Sequence, residues 1–218
     1  MLKHEHILVF DFETTGLDAR SCQIIEIGAV LLKKRVDQYE VLETLQLLVQ
    51  TDEPLPPKIT DITNITDEML LRDGVTEQEA FNRLSALMLK EDTLLIAYNI
   101  QFDLQFLTAL FHKYESKTYR IKHDILDAMA VYKDRNPYPH RLENAVAKYQ
   151  VEVPNTHRAL DDVMATLNVL VKMRAEKDNL GKYVNKIGYN KKYGVSGIVL
   201  PHVKYVAQAG GRNEIDNL

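Results

Sequence analysis

An apolar run that includes two acidic residues lies near the start of the chain, Ile7-Leu8-Val9-Phe10-Asp11-Phe12-Glu13-Thr14-Thr15-Gly16. Its apolar residues predict a buried β-strand, and Thr14 to Gly16 close it with residues typical of turns. Side chains two positions apart on a strand point to the same face, so Asp11 and Glu13 are neighbours. Two carboxylates in a buried strand are unusual, and their charges need partners from elsewhere in the protein.

The remaining apolar patterns predict an α/β layer fold with a mixed sheet, because three strands come first and strands then alternate with helices. Short polar connections between the first three strands favour an antiparallel meander. The further strands are expected at residues 24–32, 41–49, 93–98 and 119–122. The helices are expected at residues 76–90, from 101 onward, 124–134, 141–149 and 158–173.

Two more acidic residues lie on the apolar faces of predicted helices. Asp103 is in phase with Phe106 and Leu110, and Asp162 is in phase with Ala165 and Val169. Burying a lone carboxylate costs several kcal/mol, and two carboxylates about 4 Å apart repel by about 4 kcal/mol at an effective dielectric constant of about 20.

Arginine partners, a shared proton or divalent cations would each relieve this repulsion. Two divalent cations would balance the four negative charges of these acids, and this makes a metal site the favoured interpretation. Any one acid taken alone is explained better by a strand end or a helix cap.

Composition excludes several protein classes. Hydrophobic residues make up 45% of the chain and charged residues 27%, as in ordinary globular proteins. The single cysteine, Cys22, excludes an internal disulfide and a cysteine-rich metal site. No apolar run approaches the roughly 18–20 residues of a membrane span, and the polar start does not resemble a secretory signal. We therefore expect a cytoplasmic protein without a membrane partner.

Charge is unevenly distributed along the chain. The net charge is −4, but residues 180–218 hold six basic and two acidic side chains, so the preceding part carries −8. We expect one main domain at residues 1–178 and a basic extension, rich in Tyr and Gly, at residues 179–218. The extension would pack back through Ile198, Val199, Leu200 and Val203, dock a partner, or stack on single-stranded nucleic acid. The tyrosines that would stack are Tyr183, Tyr189, Tyr193 and Tyr205.

Three motifs together resemble the DEDDh 3′→5′ exonucleases, a family that includes proofreading subunits of bacterial DNA polymerases. They occur in the family's order within residues 7–173, and the stretch 65–70 is similar to the family's connector. The motifs are Val9-Phe10-Asp11-Phe12-Glu13-Thr14-Thr15-Gly16-Leu17, Asn99-Ile100-Gln101-Phe102-Asp103 and His157-Arg158-Ala159-Leu160-Asp161-Asp162. The resemblance implies a ribonuclease H-like fold, in which helices flank a five-stranded mixed sheet.

The resemblance also implies an active site. Its metal ligands would be Asp11, Glu13, Asp103 and Asp162, which would hold two divalent cations, Mg²⁺ or Mn²⁺. His157 would be the general base, since imidazole has a pKa of about 6.5. The residues expected to contact the terminal nucleotide are Thr14, Thr15, Gly16, Leu17 and Phe102, although Phe102 fits the core equally well.

The implied reaction removes nucleoside 5′-monophosphates from the 3′ end of a nucleic-acid strand, with DNA favoured and a DNA polymerase subunit as a partner. Degradation of short RNA and a non-catalytic binding module of the same fold remain open alternatives. A third alternative is an unrelated hydrolase that uses an acid dyad. Such an enzyme would retain its activity in chelator. Tyr98 stands where many family members have His, from which we expect altered substrate contacts, and Asp127 is expected to be structural.

Overall fold

The computed structural model describes residues 2–36, 38–152 and 158–218. Five strands form one mixed sheet in the order β3-β2-β1-β4-β5. They are β1 His6–Thr14, β2 Ile24–Lys34, β3 Tyr39–Leu48, β4 Thr93–Ala97 and β5 Ile125–Asp127. The first three strands are antiparallel, whereas β4 runs parallel to both β1 and β5. The predicted fold class and the predicted meander are therefore confirmed.

Helices flank both faces of this sheet. They are α1 Pro57–Thr63, α2 Asp67–Asp73, α3 Glu77–Met88, α4 Ile100–Tyr114, α5 Ala128–Arg135, α6 Leu142–Tyr149 and α7 Ala159–Glu176. A 3₁₀ turn at Leu180–Tyr183 precedes a small parallel pair, β6 Lys186–Tyr189 and β7 Lys204–Ala207. None of the helices in the described ranges combines the length and the apolar character needed to cross a membrane.

Alternation along β1 divides its side chains between two cores. Leu8 and Phe10 belong to the core shared with α3 and α4, whereas Ile7 and Val9 belong to the core shared with α5, α6 and α7. Because side chains two apart share a face, Asp11 and Glu13 continue the phase of Val9 and face the α7 side.

A glycine in β2 allows α7 to lie directly on the sheet. Gly28 pairs with Asp11, and a Cβ atom at Gly28 would lie 2.4 Å from the backbone carbonyl carbon of Ala159. No side chain fits in that space, since the neighbouring atoms are helix backbone. The first turn of α7 is therefore held beside Asp11.

The prediction of a strand at residues 119–122 is wrong. The fifth strand is β5, which lies within the stretch 124–134 that was expected to be wholly helical. Tyr119 instead stacks its ring on Phe111 with the centroids 4.0 Å apart, and the ring nitrogen Nε2 of His112 lies 3.1 Å from the carbonyl oxygen of Tyr119. A strand of three residues is too short to display alternation before its helix begins.

The segment after residue 178 shares both cores with the sheet. Tyr183 and Ile215 are buried in the core under α5 and α7, and Leu200 and Val203 are buried in the other core. Val199, which was expected to pack with them, is exposed.

A buried carboxylate in α5 fixes part of this segment. Asp134 accepts hydrogen bonds from the hydroxyl of Tyr183 (3.0 Å), the side-chain amide of Gln208 (2.9 Å) and the backbone amides of Ile215 (3.0 Å) and Asp216 (2.9 Å). Hydrogen bonds to a charged acceptor are worth about 1.5–3 kcal/mol each, so Asp134 contributes strongly to attachment of the segment.

Candidate active site

Three carboxylates from two elements meet at one end of the sheet. Asp11 and Glu13 on β1 and Asp162 on α7 each offer an oxygen atom, and these oxygens all lie within 4.8 Å of one another. All three side chains are half-buried. The alternation of β1 and the contact of α7 with Gly28 produce this arrangement.

Asp103 is the fourth carboxylate at this end of the sheet, although it lies outside the group of three. It sits in the first turn of α4, and only 2% of its surface is exposed. Since β4 runs parallel to β1, the helix that follows β4 begins beside the carboxyl end of β1, where ligand sites of α/β sheets usually lie. The Oδ1 atom of Asp103 is buried and has no hydrogen-bond partner among the described residues.

Burial and mutual repulsion raise the pKa values of three of these acids, Asp11, Glu13 and Asp103. Burial, followed by the charges of Asp162 and Glu26, raises the pKa of Asp11 to about 8. Burial, followed by the charge of Asp11, raises the pKa of Glu13 to about 9, although Arg158 opposes this shift. The pKa of Asp103 is also raised, by burial and then by Asp11. The group therefore cannot be fully ionised at neutral pH without additional positive charge.

The residues fit hard divalent cations. Carboxylate oxygens are the donors that Mg²⁺ and Mn²⁺ prefer, and a buried oxygen without a partner, as in Asp103, is suited to a ligand that the protein alone does not supply. The alternative of neutralisation by arginine is weakened because the guanidinium of Arg158 is bound to Glu26.

Raised pKa values predict how the metal-free protein responds to pH. A carboxyl whose pKa rises from 3.8 or 4.5 in the unfolded chain to about 8 or 9 stabilises the folded state at low pH. That stabilisation is complete below about pH 4 and is lost as the pH rises toward 8–9. In chelator, we expect the melting temperature (Tm) to fall by several degrees between pH 5 and pH 9. A calorimetric series should show this fall, and excess Mg²⁺ should reduce it.

The matched control for the pH series is the double variant Asp11→Asn/Glu13→Gln, which lacks both titrating groups and should lose most of the dependence. An equal fall in Tm in the variant and in the wild type would show that other groups cause it.

A buried ion pair beside the site was not predicted. Glu26 on β2 is opposite Glu13, is fully buried, and accepts hydrogen bonds at 3.0 Å from Nε and at 2.6 Å from Nη2 of Arg158. Its second oxygen accepts the backbone amide of Ala159 at 2.9 Å, which fixes the start of α7. Glu26 is an acid within the apolar run 24–32, a sequence signal of the same kind as Asp11 in β1. That signal could have revealed a buried carboxylate that needs a partner.

Thr14 and Thr15, which were predicted to contact the terminal nucleotide, form hydrogen bonds within the loop after β1. The hydroxyl of Thr14 donates to the carbonyl of Gly16 at 2.7 Å, and the hydroxyl of Thr15 accepts the backbone amide of Gln23 at 2.9 Å. A hydroxyl that accepts one bond can still donate another, so Thr15 retains a donor. At the tip of this loop, the side chain of Leu17 is 83% exposed.

The other residues singled out in the sequence have different outcomes. Phe102 is half-buried and packs on Phe106, with ring centroids 5.2 Å apart, at the edge of the core. Tyr98 is half-buried and donates its hydroxyl to the carbonyl of His140 at 2.8 Å. The predicted structural role of Asp127 agrees with its contacts, because it accepts the backbone amides of Asn99 and Met129 at 3.0 Å each. His157 lies outside the described residues.

Comparison with known proteins identifies relatives of this chain. A family model described as RNase_T, exonuclease, matches residues 8–170. The DNA polymerase III subunit epsilon of Treponema pallidum is 32% identical over 183 residues, which cover 79% of this chain and 79% of that protein. The PolC-type DNA polymerase III of Mycoplasma genitalium is 31% identical over 179 residues, 80% of this chain, but this chain spans only 12% of that relative's length.

Solved structures agree on the fold. E. coli exonuclease I in a complex with single-stranded DNA superposes with a TM-score of 0.70 at 20% identity, covering 83% of this chain and 43% of that one. The resemblance to DEDDh 3′→5′ exonucleases that the three motifs carried is confirmed by these relatives. The chain belongs to the RNase_T family of exonucleases.

Proposed function

We propose that this chain is a metal-dependent 3′→5′ exonuclease that hydrolyses the terminal phosphodiester bond of DNA and releases nucleoside 5′-monophosphates. The observation that carries the proposal is the meeting of Asp11, Glu13 and Asp162 within 4.8 Å, with Asp103 at the same end of the sheet. A set of hard oxygen donors at the carboxyl end of β1 suits phosphoryl chemistry assisted by cations. Membership of an exonuclease family supports the same activity.

The four carboxylates would hold two divalent cations, Mg²⁺ or Mn²⁺. When bound, such cations supply Lewis-acid chemistry that lowers the pKa of water and stabilises the negative charge of the leaving 3′ oxygen. The carboxylates of Asp11, Glu13, Asp103 and Asp162 would fix the positions of these charges on β1, α4 and α7. The raised pKa values of Asp11, Glu13 and Asp103 describe the protein without cations, and bound positive charge would lower them.

His157 would accept the proton of the attacking water as general base. It is bonded in sequence to Arg158, whose side chain is fixed by Glu26 at the start of α7. Through that connection the Glu26–Arg158 pair would position the base together with Asp162.

The terminal nucleotide would lie against the loop after β1. Thr14 and Gly16 would shape this loop, Thr15 would donate to the nucleotide, and the exposed Leu17 would pack on the terminal base. Phe102 would line the opposite wall from α4. Because these contacts recognise no base edge, little sequence preference is expected, and a single-stranded or frayed 3′ end would fit best.

Residues 1–178 would carry this chemistry, and residues 179–218 would be an extension of the domain. The names of the relatives, an epsilon subunit and PolC-type enzymes of DNA polymerase III, support a DNA polymerase as a partner and a cytoplasmic role in replication or repair.

The test compares DNA and RNA oligonucleotides of one sequence, labelled at the 5′ or the 3′ end, with Mg²⁺, with Mn²⁺ and with chelator. We expect a ladder of shortened 5′-labelled DNA, release of labelled mononucleotide from the 3′ end, and no reaction in chelator. Faster degradation of RNA would favour the short-RNA alternative. Activity that survives chelation would refute the metal-dependent mechanism.

A further inference from the structure

We propose that residues 190–196, here called the 190–196 loop, bind the single-stranded nucleic acid on the 5′ side of the terminal nucleotide. This inference rests on the proposed function, because it assigns a second contact site for the same substrate. The loop lies beyond residue 170, where the match to the family model ends.

The base of the loop is attached to the helix that carries Asp103. The side-chain amide of Gln101 on α4 donates to the carbonyl oxygens of Ser196 (2.5 Å) and Ile198 (2.6 Å). Gly197 adopts a φ of +77°, and a Cβ atom there would lie 3.1 Å from the side-chain amide of Gln105. Positive φ and close packing together favour glycine at this position, so the loop has a fixed origin two residues from a proposed metal ligand.

A cavity connects this base with the loop after β1. Its volume is about 420 Å³, and its wall includes Leu17, Gln105 and Ile198. Leu17 is the residue proposed to pack on the terminal base. A strand whose end lies at Leu17 therefore has an open path along α4 toward the 190–196 loop.

The loop presents two cations and an aromatic ring to solvent. The carbonyl of Asn190 accepts the backbone amides of Tyr193 (3.0 Å) and Gly194 (2.9 Å), which makes a tight turn. Lys191 and Lys192 are exposed, and the ring of Tyr193 is 73% exposed. The ammonium of Lys192 lies 5.2 Å from the centroid of that ring.

This combination suits the backbone and bases of a single strand. Proteins that bind single strands without sequence preference pair positive charges, which contact phosphates, with aromatic faces, on which bases stack. Of the four tyrosines in the extension, Tyr183 is buried and Tyr189 and Tyr205 are half-buried, so Tyr193 is the one with an exposed ring.

Charge near the site favours the same role. Without cations, the carboxylates at the end of β1 would repel an anionic strand, and Arg20 and Arg158, the described arginines beside these carboxylates and the loop after β1, are already paired. Arg20 is bound to Asp18 at 2.8 Å, and Arg158 is bound to Glu26. Lys191 and Lys192 would supply the attraction that holds the strand during successive cleavages.

The test measures binding and hydrolysis separately. Binding of a fluorescent thymidine dodecamer is followed by anisotropy in chelator at several salt concentrations, and hydrolysis of the dodecamer and of a thymidine dinucleotide is followed with Mg²⁺. The test variants are Lys191→Ala/Lys192→Ala and Tyr193→Ala. Their matched controls are Lys58→Ala/Lys172→Ala, which removes two exposed lysines elsewhere, and Tyr138→Ala, which removes another exposed tyrosine.

We expect the loop lysine variant to weaken dodecamer binding about tenfold and to reduce the slope of log affinity against log salt by about 1.4, since each phosphate contact contributes about 0.7. Tyr193→Ala should weaken binding by about tenfold through lost stacking. Dinucleotide hydrolysis should stay within about twofold of the wild type, because the dinucleotide does not reach the loop. Both controls should bind like the wild type.

Equal dodecamer affinity and salt slope in the loop variants and their controls would overturn the inference. A parallel loss of dinucleotide hydrolysis would overturn it as well, because the loop would then act on the active site itself. If the wild type hydrolyses neither the dodecamer nor the dinucleotide, the proposed function is refuted. The binding measurement in chelator would then still decide the role of the loop.

Discussion

Replacing Asp11 by asparagine should lower the turnover of a DNA oligonucleotide about 10³-fold or more, while the metal-free protein becomes as stable as the wild type or more stable. Asp11 lies at the centre of the site, with Glu13 and Asp162 within 4.8 Å and its charge acting on Asp103. Loss of one carboxylate would remove ionic contacts to the proposed cations, and a 10³-fold change in rate corresponds to only about 4 kcal/mol.

The stability part of this result has a separate cause. Asn has nearly the shape of Asp, and its neutral amide avoids both the burial of a charge and the repulsion by Asp162 and Glu26, which together raise the pKa of Asp11 to about 8. A residue required for folding would behave in the opposite way, because its replacement would lower the Tm. The two measurements together therefore distinguish a catalytic carboxylate from a structural one.

Turnover with Mg²⁺ and Tm in chelator are the two readouts for this variant. Asp73→Asn is a suitable control, since Asp73 is a surface residue paired with Arg72 and should change neither. The assignment of Asp11 is wrong if Asp11→Asn retains nearly normal turnover, or if it is inactive only because it has unfolded.

Glu26→Ala is expected to be the most destabilising of the substitutions considered, by about 3 kcal/mol. Removal of one partner of a buried ion pair leaves the other charge uncompensated and typically costs about 3–5 kcal/mol. The lower end of this range of energies applies because 26% of the Arg158 side-chain surface is exposed, so its charge can be partly rehydrated. For a chain of this length, the expected fall in Tm is about 10 °C.

The same substitution should also impair hydrolysis. Glu26 accepts the backbone amide of Ala159, so its loss frees the first turn of α7, which carries Asp162. Glu26→Gln preserves an acceptor for that amide and should recover part of both losses. If stability falls but turnover at a permissive temperature does not, the pair has no positioning role.

A matched control for the ion pair exists at the surface. Glu40 pairs with Arg35 at 2.8 Å, and both side chains are about half exposed. Glu40→Ala should leave the Tm unchanged within error, because water replaces the lost contact.

Much of the fold could be predicted from sequence because its signals are long. The apolar runs of β1 and β2 and the helical period of α7 extend over many residues, and the three motifs occur in a fixed order along the chain. The strand β5 could not be predicted in the same way. Ile125–Asp127 contains three residues and passes directly into α5, so tertiary pairing with β4 determines its structure rather than local pattern.

The acidic site was predicted in part for a similar reason. Asp11, Glu13, Asp103 and Asp162 are polar residues at apolar positions, which a pattern detects. Their distances could not be predicted, since the contact of α7 with β2 depends on the absence of a side chain at Gly28. Asp103 also shows the limit of the pattern, because it lies at the same end of the sheet but outside the group of three.

The hydrogen bonds of Asp134 have a consequence for synthesis of the protein. In the nascent chain, the carboxylate of Asp134 can receive the amides of Ile215 and Asp216 only after about 80 further residues have been translated. Until then the buried carboxylate lacks those two donors, and the domain cannot reach its final stability before residues 215 and 216 have joined it. Chaperones and proteases would therefore have access to β1 and α7 before the core beneath them has its hydrogen bonds from residues 215 and 216.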